Sequence, residues 1–160
     1  MKQHTYKTSL AWTGNDGEGT KTYRSYRRDH TIEVAGKPPI LGSSDPAFRG
    51  DPARYSPEDL LVCALSACHM LWYLHLCSTH HITVVDYHDE ASGVMEERPD
   101  GSGVFTSVRL APKVTVVAGD DHATAMALHE DAHRMCFIAN SVTFPVEIAA
   151  TVLDQSAVVR

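Results

Sequence analysis

Apolar and polar positions alternate at the start of the chain. Tyr6, Leu10 and Trp12 share one parity and Lys7 and Ser9 the other, which predicts a half-buried strand. The turn cluster Gly14-Asn15-Asp16-Gly17-Glu18-Gly19 ends it, and Thr20–Tyr26 and His30–Ala35 predict two further short strands of an antiparallel meander. From Gly36 to Ser56 the periodicity stops, broken by Pro38, Pro39, Pro46, Pro52, Gly42 and Gly50. A connection of that length suits a lid or binding loop, and this one carries Asp45, Arg49, Asp51 and Arg54.

The strongest helical signal follows. Ser56 is an N-cap, Pro57 suits the first helical position, and Glu58 and Asp59 place negative charge in the first turn. Asp59, three residues after Ser56, completes a capping box. Leu60 to Cys77 is apolar nearly all round, which predicts burial on most sides, as a core helix or an oligomer interface. It reads as too short and too polar at its ends to span a membrane. Ile82–Glu90 predicts a strand, which Val94–Pro99 extends up to a turn at Asp100-Gly101. Val104–Val117 alternates, with Pro112 as a bulge or edge feature. A second helix is expected from Asp120-Asp121 to about Ile138, then a closing strand over Phe144–Leu153. The order βββ, loop, α, ββ, α, β has no internal linker and predicts one α+β domain over residues 1–160.

Composition narrows the function classes. The 160 residues carry 14 Lys+Arg against 20 Asp+Glu, a net charge of −6, which argues against a nucleic-acid surface. At 43% hydrophobic residues the chain can build a sizeable core. Met1–Tyr6 shows no apolar signal core, so a cytoplasmic protein without a membrane segment is expected. The four cysteines, Cys63, Cys68, Cys77 and Cys136, are then catalytic, metal-binding or plainly buried thiols rather than structural disulfides.

Several residues carry candidate chemistry. His129-Glu130-Asp131-Ala132-His133 matches HExxH, with Cys136 as a conceivable third zinc ligand, although no metalloprotease-like third-ligand spacing follows. A solvated helix face is the simpler reading. Cys77, His80 and His81 cluster where His commonly satisfies the last carbonyls of a helix. Cys68 lies too deep in the first helix for the dipole to lower its pKa, and Leu61, Leu65, Leu71 and Trp72 on neighbouring turns would raise it. Reactivity there needs a cation from elsewhere. The preceding loop can supply Arg49, its guanidinium oriented by the Glu58 carboxylate.

Ser56-Pro57-Glu58-Asp59-Leu60-Leu61, followed by Ala64-Leu65-Ser66-Ala67-Cys68, resembles the signature of the OsmC/Ohr family, the osmotically inducible and organic-hydroperoxide-resistance proteins. Ala132-His133-Arg134-Met135-Cys136 resembles the family's later cysteine, and the order of elements fits along the whole chain. The resemblance implies an OsmC-like α+β fold of antiparallel sheets with two core helices, working as an intertwined homodimer. It implies a thiol-dependent peroxidase that needs no metal or organic cofactor and reduces organic hydroperoxides to alcohols. By position Cys68 matches the peroxidatic cysteine, Cys136 the resolving one and Glu58 the family's glutamate; Arg49 is the best match for its arginine, with Arg28 in reserve. A disulfide between Cys68 and Cys136 would be reduced by a small dithiol or by a lipoyl- or thioredoxin-like protein. Phe137 departs from the proline that often follows the second cysteine. His69 is a proton donor or a satisfied core residue, and Cys63 and Cys77 are packing thiols. The rival reading is a non-catalytic protein on the same fold that binds a small apolar ligand beside Cys68.

Overall fold

The computed structural model describes residues 1–155; the last five residues of the expected domain lie outside it. The chain forms two compact units, Met1–Leu61 and Val62–Arg160.

In the first unit, β1 (Ser9–Trp12), β2 (His30–Glu33) and β3 (Ile40–Gly42) make an antiparallel sheet in the order β1-β2-β3. The strand expected over Thr20–Tyr26 is a run of turns instead. Tyr23 and Tyr26 both hold the Arg28 guanidinium, at 4.3 and 4.2 Å from their ring centres. An extended strand would send residues three apart to opposite faces, so this clamp requires a turn. Within the expected loop, Asp45 caps a short 3-10 turn over Pro46–Phe48 by accepting from Ala47 N at 2.7 Å. Arg49 ends the turn in the left-handed region, at φ 66°. Gly50 then passes so close to Ser44 that a Cβ would lie 1.5 Å from its carbonyl oxygen, which leaves glycine as the residue that closes the loop.

Helix α1 (Pro57–Thr79) begins in the first unit and continues through the second. Its capping box forms as expected: Asp59 N donates to Ser56 Oγ at 3.1 Å, and the Asp59 carboxylate accepts from Ser56 N at 2.9 Å. One stripe, Leu65, His69, Tyr73 and Cys77, is buried. With 23 residues and a mean hydropathy of 1.7 over its most apolar stretch, α1 is long and apolar enough to cross a membrane, which corrects the expectation that it is too short. Its buried stripe packs against the strands of the second unit, and the rest of its apolar surface is not buried in the chain.

The second unit is built on a long bent hairpin. Strands β4 (Val84–Asp89) and β5 (Ser92–Glu97) run against β6 (Gly103–Leu110) and β7 (Pro112–Val116). The bend divides the hairpin into two sheets, ordered β4-β7-β9 and β5-β6-β8. Asp89 pins the break, accepting from Ala111 N at 2.7 Å and from Ser66 Oγ at 2.5 Å. Pro112, which cannot donate, opens β7 there. The closing strand divides at the same bend into β8 (Val146–Ile148) and β9 (Thr151–Asp154), and these pair parallel to β6 and β7.

Helix α2 (His122–Met135) is capped by Asp121, which accepts from Ala123 N and Thr124 N. It stops three residues short of the expected end, because Cys136 turns extended (ψ 112°) and Asn140 Nδ2 donates to the Arg134 carbonyl at 3.0 Å. Tyr73 and Cys77 of α1 share one core with Val114, Val116, Ala125, Leu128 and Ala132, while Leu65 joins Val108 and Leu110 in another.

Candidate active site

The two cysteines of the expected redox couple meet. Cys68 is half-buried on α1, and Cys136, 1% exposed, caps α2 rather than lying within it. Both are free thiols. Burial pushes the Cys136 thiol up to about 11. The Ala139 N–H, which donates to Cys136 Sγ at 3.4 Å, works against that rise, and the adjoining Cys68 thiol adds to it. Trp72, one turn on from Cys68, meets Phe137, next to Cys136, edge-on at 5.5 Å, and Leu71, Trp72 and His75 line an open recess of about 240 Å³. Leu71 is exposed and reaches this recess, whereas Leu65 is fully buried and serves the core.

The charged candidates lie in the first unit. Arg49 is exposed, and its guanidinium makes no ion pair among the described residues. The expected pair between Arg49 and Glu58 is therefore not made, and Glu58 Oε2 is buried without a partner. The short 3-10 turn leaves the Arg49 side chain in solvent, which accounts for the difference. Arg28 is committed elsewhere: besides its two tyrosine rings it donates to the carbonyls of Tyr26 and Tyr23, at 2.6 and 2.8 Å. Arg54 lies 3.8 Å from buried Asp29 and 3.5 Å from Asp51, and its Nη1 is buried without a partner.

The HExxH pair does not act as a unit. His129 is turned inward, its Nδ1 at 3.0 Å from Nε2 of His69 on α1, while His133 is half-buried. Among the described residues no three His, Cys, Asp or Glu side chains come together as a metal site. The His69 ring is 1% exposed, and the His129 ring stacks face to face on Tyr73 at 3.8 Å. Burial pushes His69 down to about 4, helped by His133 and opposed by Asp89. It pushes His129 down to about 3, so both imidazoles are neutral at pH 7. Sequence reasoning set His129 with His133 and His69 by itself, and missed the His69–His129 pair. The available signal was His69 in the register of Leu65 and Tyr73, since a histidine on a buried stripe needs a polar partner. At the end of α1, His80 Nδ1 donates to the Leu76 carbonyl at 2.8 Å, as expected there. Cys77 is buried, but Cys63 is exposed and is not a packing thiol within this chain.

The sequence profile of the OsmC-like protein family matches residues 50–151, more than half of the chain. The chain belongs to the OsmC family. An OsmC-like protein of unknown function from Vibrio cholerae shares this fold with a TM-score of 0.83 and 32% identity, over 93% of this OsmC-family chain and 100% of that one. An organic hydroperoxide resistance protein from Elizabethkingia anophelis aligns with a TM-score of 0.66 and 18% identity, over 96% of this chain and 100% of its own. The organic hydroperoxide resistance protein OhrB of Bacillus subtilis aligns with a TM-score of 0.62 and 18% identity, over 93% and 98% of the two chains. At those identities the last two speak to the fold alone, which is the OsmC-like α+β fold. No curated protein matches the sequence.

Proposed function

We propose that this OsmC-family protein, a single OsmC-like domain, is a thiol-dependent peroxidase that reduces organic hydroperoxides to alcohols in the cytoplasm. The observation that carries the reading is the meeting of Cys68 on α1 with Cys136 on the cap of α2, both thiols free. Ionised Cys68 attacks the distal peroxide oxygen; the O–O bond breaks, an alkoxide leaves and takes a proton from water to become the alcohol, and Cys68 becomes a sulfenic acid. The Cys136 thiol then attacks that sulfur, its proton leaves with the hydroxide as water, and a disulfide forms. A small dithiol or a lipoyl- or thioredoxin-like protein returns both thiols and takes up the oxidation as its own disulfide.

Cys136 suits a resolving role. Burial keeps it protonated and unreactive at neutral pH, and neighbouring Cys68 adds to that. Once Cys68 is a neutral sulfenic acid its smaller share of that rise lapses, while burial, the larger cause, persists. Arg49 is the proposed cation for the thiolate and the departing alkoxide, its guanidinium uncommitted, with Glu58 to orient it in the working assembly. Leu71, Trp72 and Phe137 offer apolar surface to an alkyl or aryl group.

The working assembly is a homodimer in this reading. Only 22% of the most apolar stretch of α1 is buried within the protomer, although its composition is that of a core helix. A second copy supplies the missing cover.

The test is turnover of cumene hydroperoxide with dithiothreitol, together with thiol titration before and after one equivalent of peroxide. Wild type should turn over and lose two thiols per chain, and Cys68→Ser should lose both properties. No turnover with any dithiol ends the enzyme reading. A Cys68 thiol that survives excess peroxide while an apolar molecule co-purifies points to the ligand-binding protein instead.

A further inference from the structure

His69 directly follows Cys68 on α1, and His129 lies two turns before Cys136 on α2. Their 3.0 Å contact is the one hydrogen bond between side chains of the two helices among the described residues. It is shielded, with the rings 1% and 3% exposed. It is also oriented: the rings are 9° from coplanar in direction, and Tyr73 stacks on His129 at 12°. For a packed core the arrangement is costly, since His69 Nδ1 and His129 Nε2 are both buried without partners. Unpartnered buried nitrogens oppose folding, and two leucines would fill the space without that penalty. What the imidazoles supply and leucines cannot is direction, because an N–H···N bond has a set length and angle while apolar contacts slide.

Disulfide closure depends on such placement. The S–S bond holds its Cα atoms within a window of roughly 4.4–6.8 Å, and departures from good geometry make the bond easier to reduce. We propose that His69 and His129 are a positioning pair, whose hydrogen bond sets α1 against α2 so that Cys68 and Cys136 close a disulfide readily. The inference rests on the peroxidase reading of the two cysteines and assigns the histidines no contact with peroxide.

The test is thiol–disulfide exchange with dithiothreitol in the full-length protein. Two protein thiols plus the cyclic dithiothreitol disulfide give the Cys68–Cys136 disulfide plus reduced dithiothreitol, and the equilibrium constant is read by thiol trapping. Removing the bond in His129→Leu should lower that constant about tenfold, roughly 30 mV for a two-electron couple. The amide nitrogen of His129→Asn stands where Nδ1 was, and that of His69→Gln where Nε2 was, so these variants should stay within about threefold of wild type. Should His129→Leu fail to fold, the double variant His69→Leu/His129→Leu replaces both polar partners at once, a change that leaves no single imidazole stranded. It should show the same loss as the single variant. A constant in the leucine variants equal to wild type overturns the positioning pair, and so does failure of the amide variants to restore it. If wild type itself closes no Cys68–Cys136 disulfide under excess oxidant, the two-cysteine peroxidase reading fails, and the pair fails with it.

Discussion

Burial sets the protonation of Cys136, His69 and His129 in opposite senses. It holds a proton on the thiol, whose charged form is an anion, and removes one from each imidazole, whose charged form is a cation. The histidines make a distinct stability prediction. Their folded values, about 4 and about 3, lie below the 6.5 of an exposed imidazole, so the unfolded chain binds more protons as pH falls through that range. Stability is therefore full above about pH 6.5 and declines down to about pH 3, with a loss on the order of 2–4 kcal/mol at pH 5. Urea unfolding at pH 7 and pH 5 measures it, and His69→Leu/His129→Leu should lack most of the difference. An unchanged acid slope in that double variant would mean that other groups carry it. Arg49 makes a second prediction at this scale. A non-glycine residue at φ 66° carries strain of about 1–2 kcal/mol. Arg49→Gly removes that strain but enlarges the entropy of the unfolded chain, so stability should stay within about 1 kcal/mol of wild type. Peroxide turnover should nevertheless fall at least about tenfold, a loss of 1.4 kcal/mol or more in transition-state stabilisation. Undiminished turnover transfers the role to another arginine, Arg54 first.

At the scale of elements, helix starts were the most legible features. Ser56 and Asp121 were marked by residue type and spacing, and both cap through bonds that involve only nearby residues. Ser56→Ala should cost about 1 kcal/mol, seen as a lower urea midpoint with unchanged slope, since the cap leaves the exposed area of the unfolded chain as it was. Helix ends and strand divisions were less legible. The end of α2 depends on Asn140 reaching back to Arg134, and the division of Phe144–Leu153 into β8 and β9 follows a bend made by Asp89 on the hairpin. The Thr20–Tyr26 segment has strand composition but belongs to Arg28, whose guanidinium needs both tyrosines on one side. Propensity yields to such contacts because a single strand outside a sheet has little stability of its own.

At the scale of the whole molecule, α1 has one buried stripe and an otherwise uncovered apolar surface, and a second copy is its proposed cover. Leu71, 62% exposed in the protomer, tests that. Leu71→Asp should yield a folded monomer by sedimentation with the helical content of wild type, and a persistent dimer would exclude Leu71 from the interface. The fold class, the two helices and their caps could be read from the chain, because each rests on periodicity or on residue types at short spacing, and short spacing is obeyed before the chain closes; the pairing of Cys68 with Cys136 came from the family resemblance instead. The His69–His129 bond, the commitment of Arg28 to its tyrosines, the cap position of Cys136 and the outward placement of Arg49 could not. The histidine bond joins two distant helices and is settled only when burial forces polar groups to find partners across elements, whereas the other three follow from local turns that residue type and periodicity leave open.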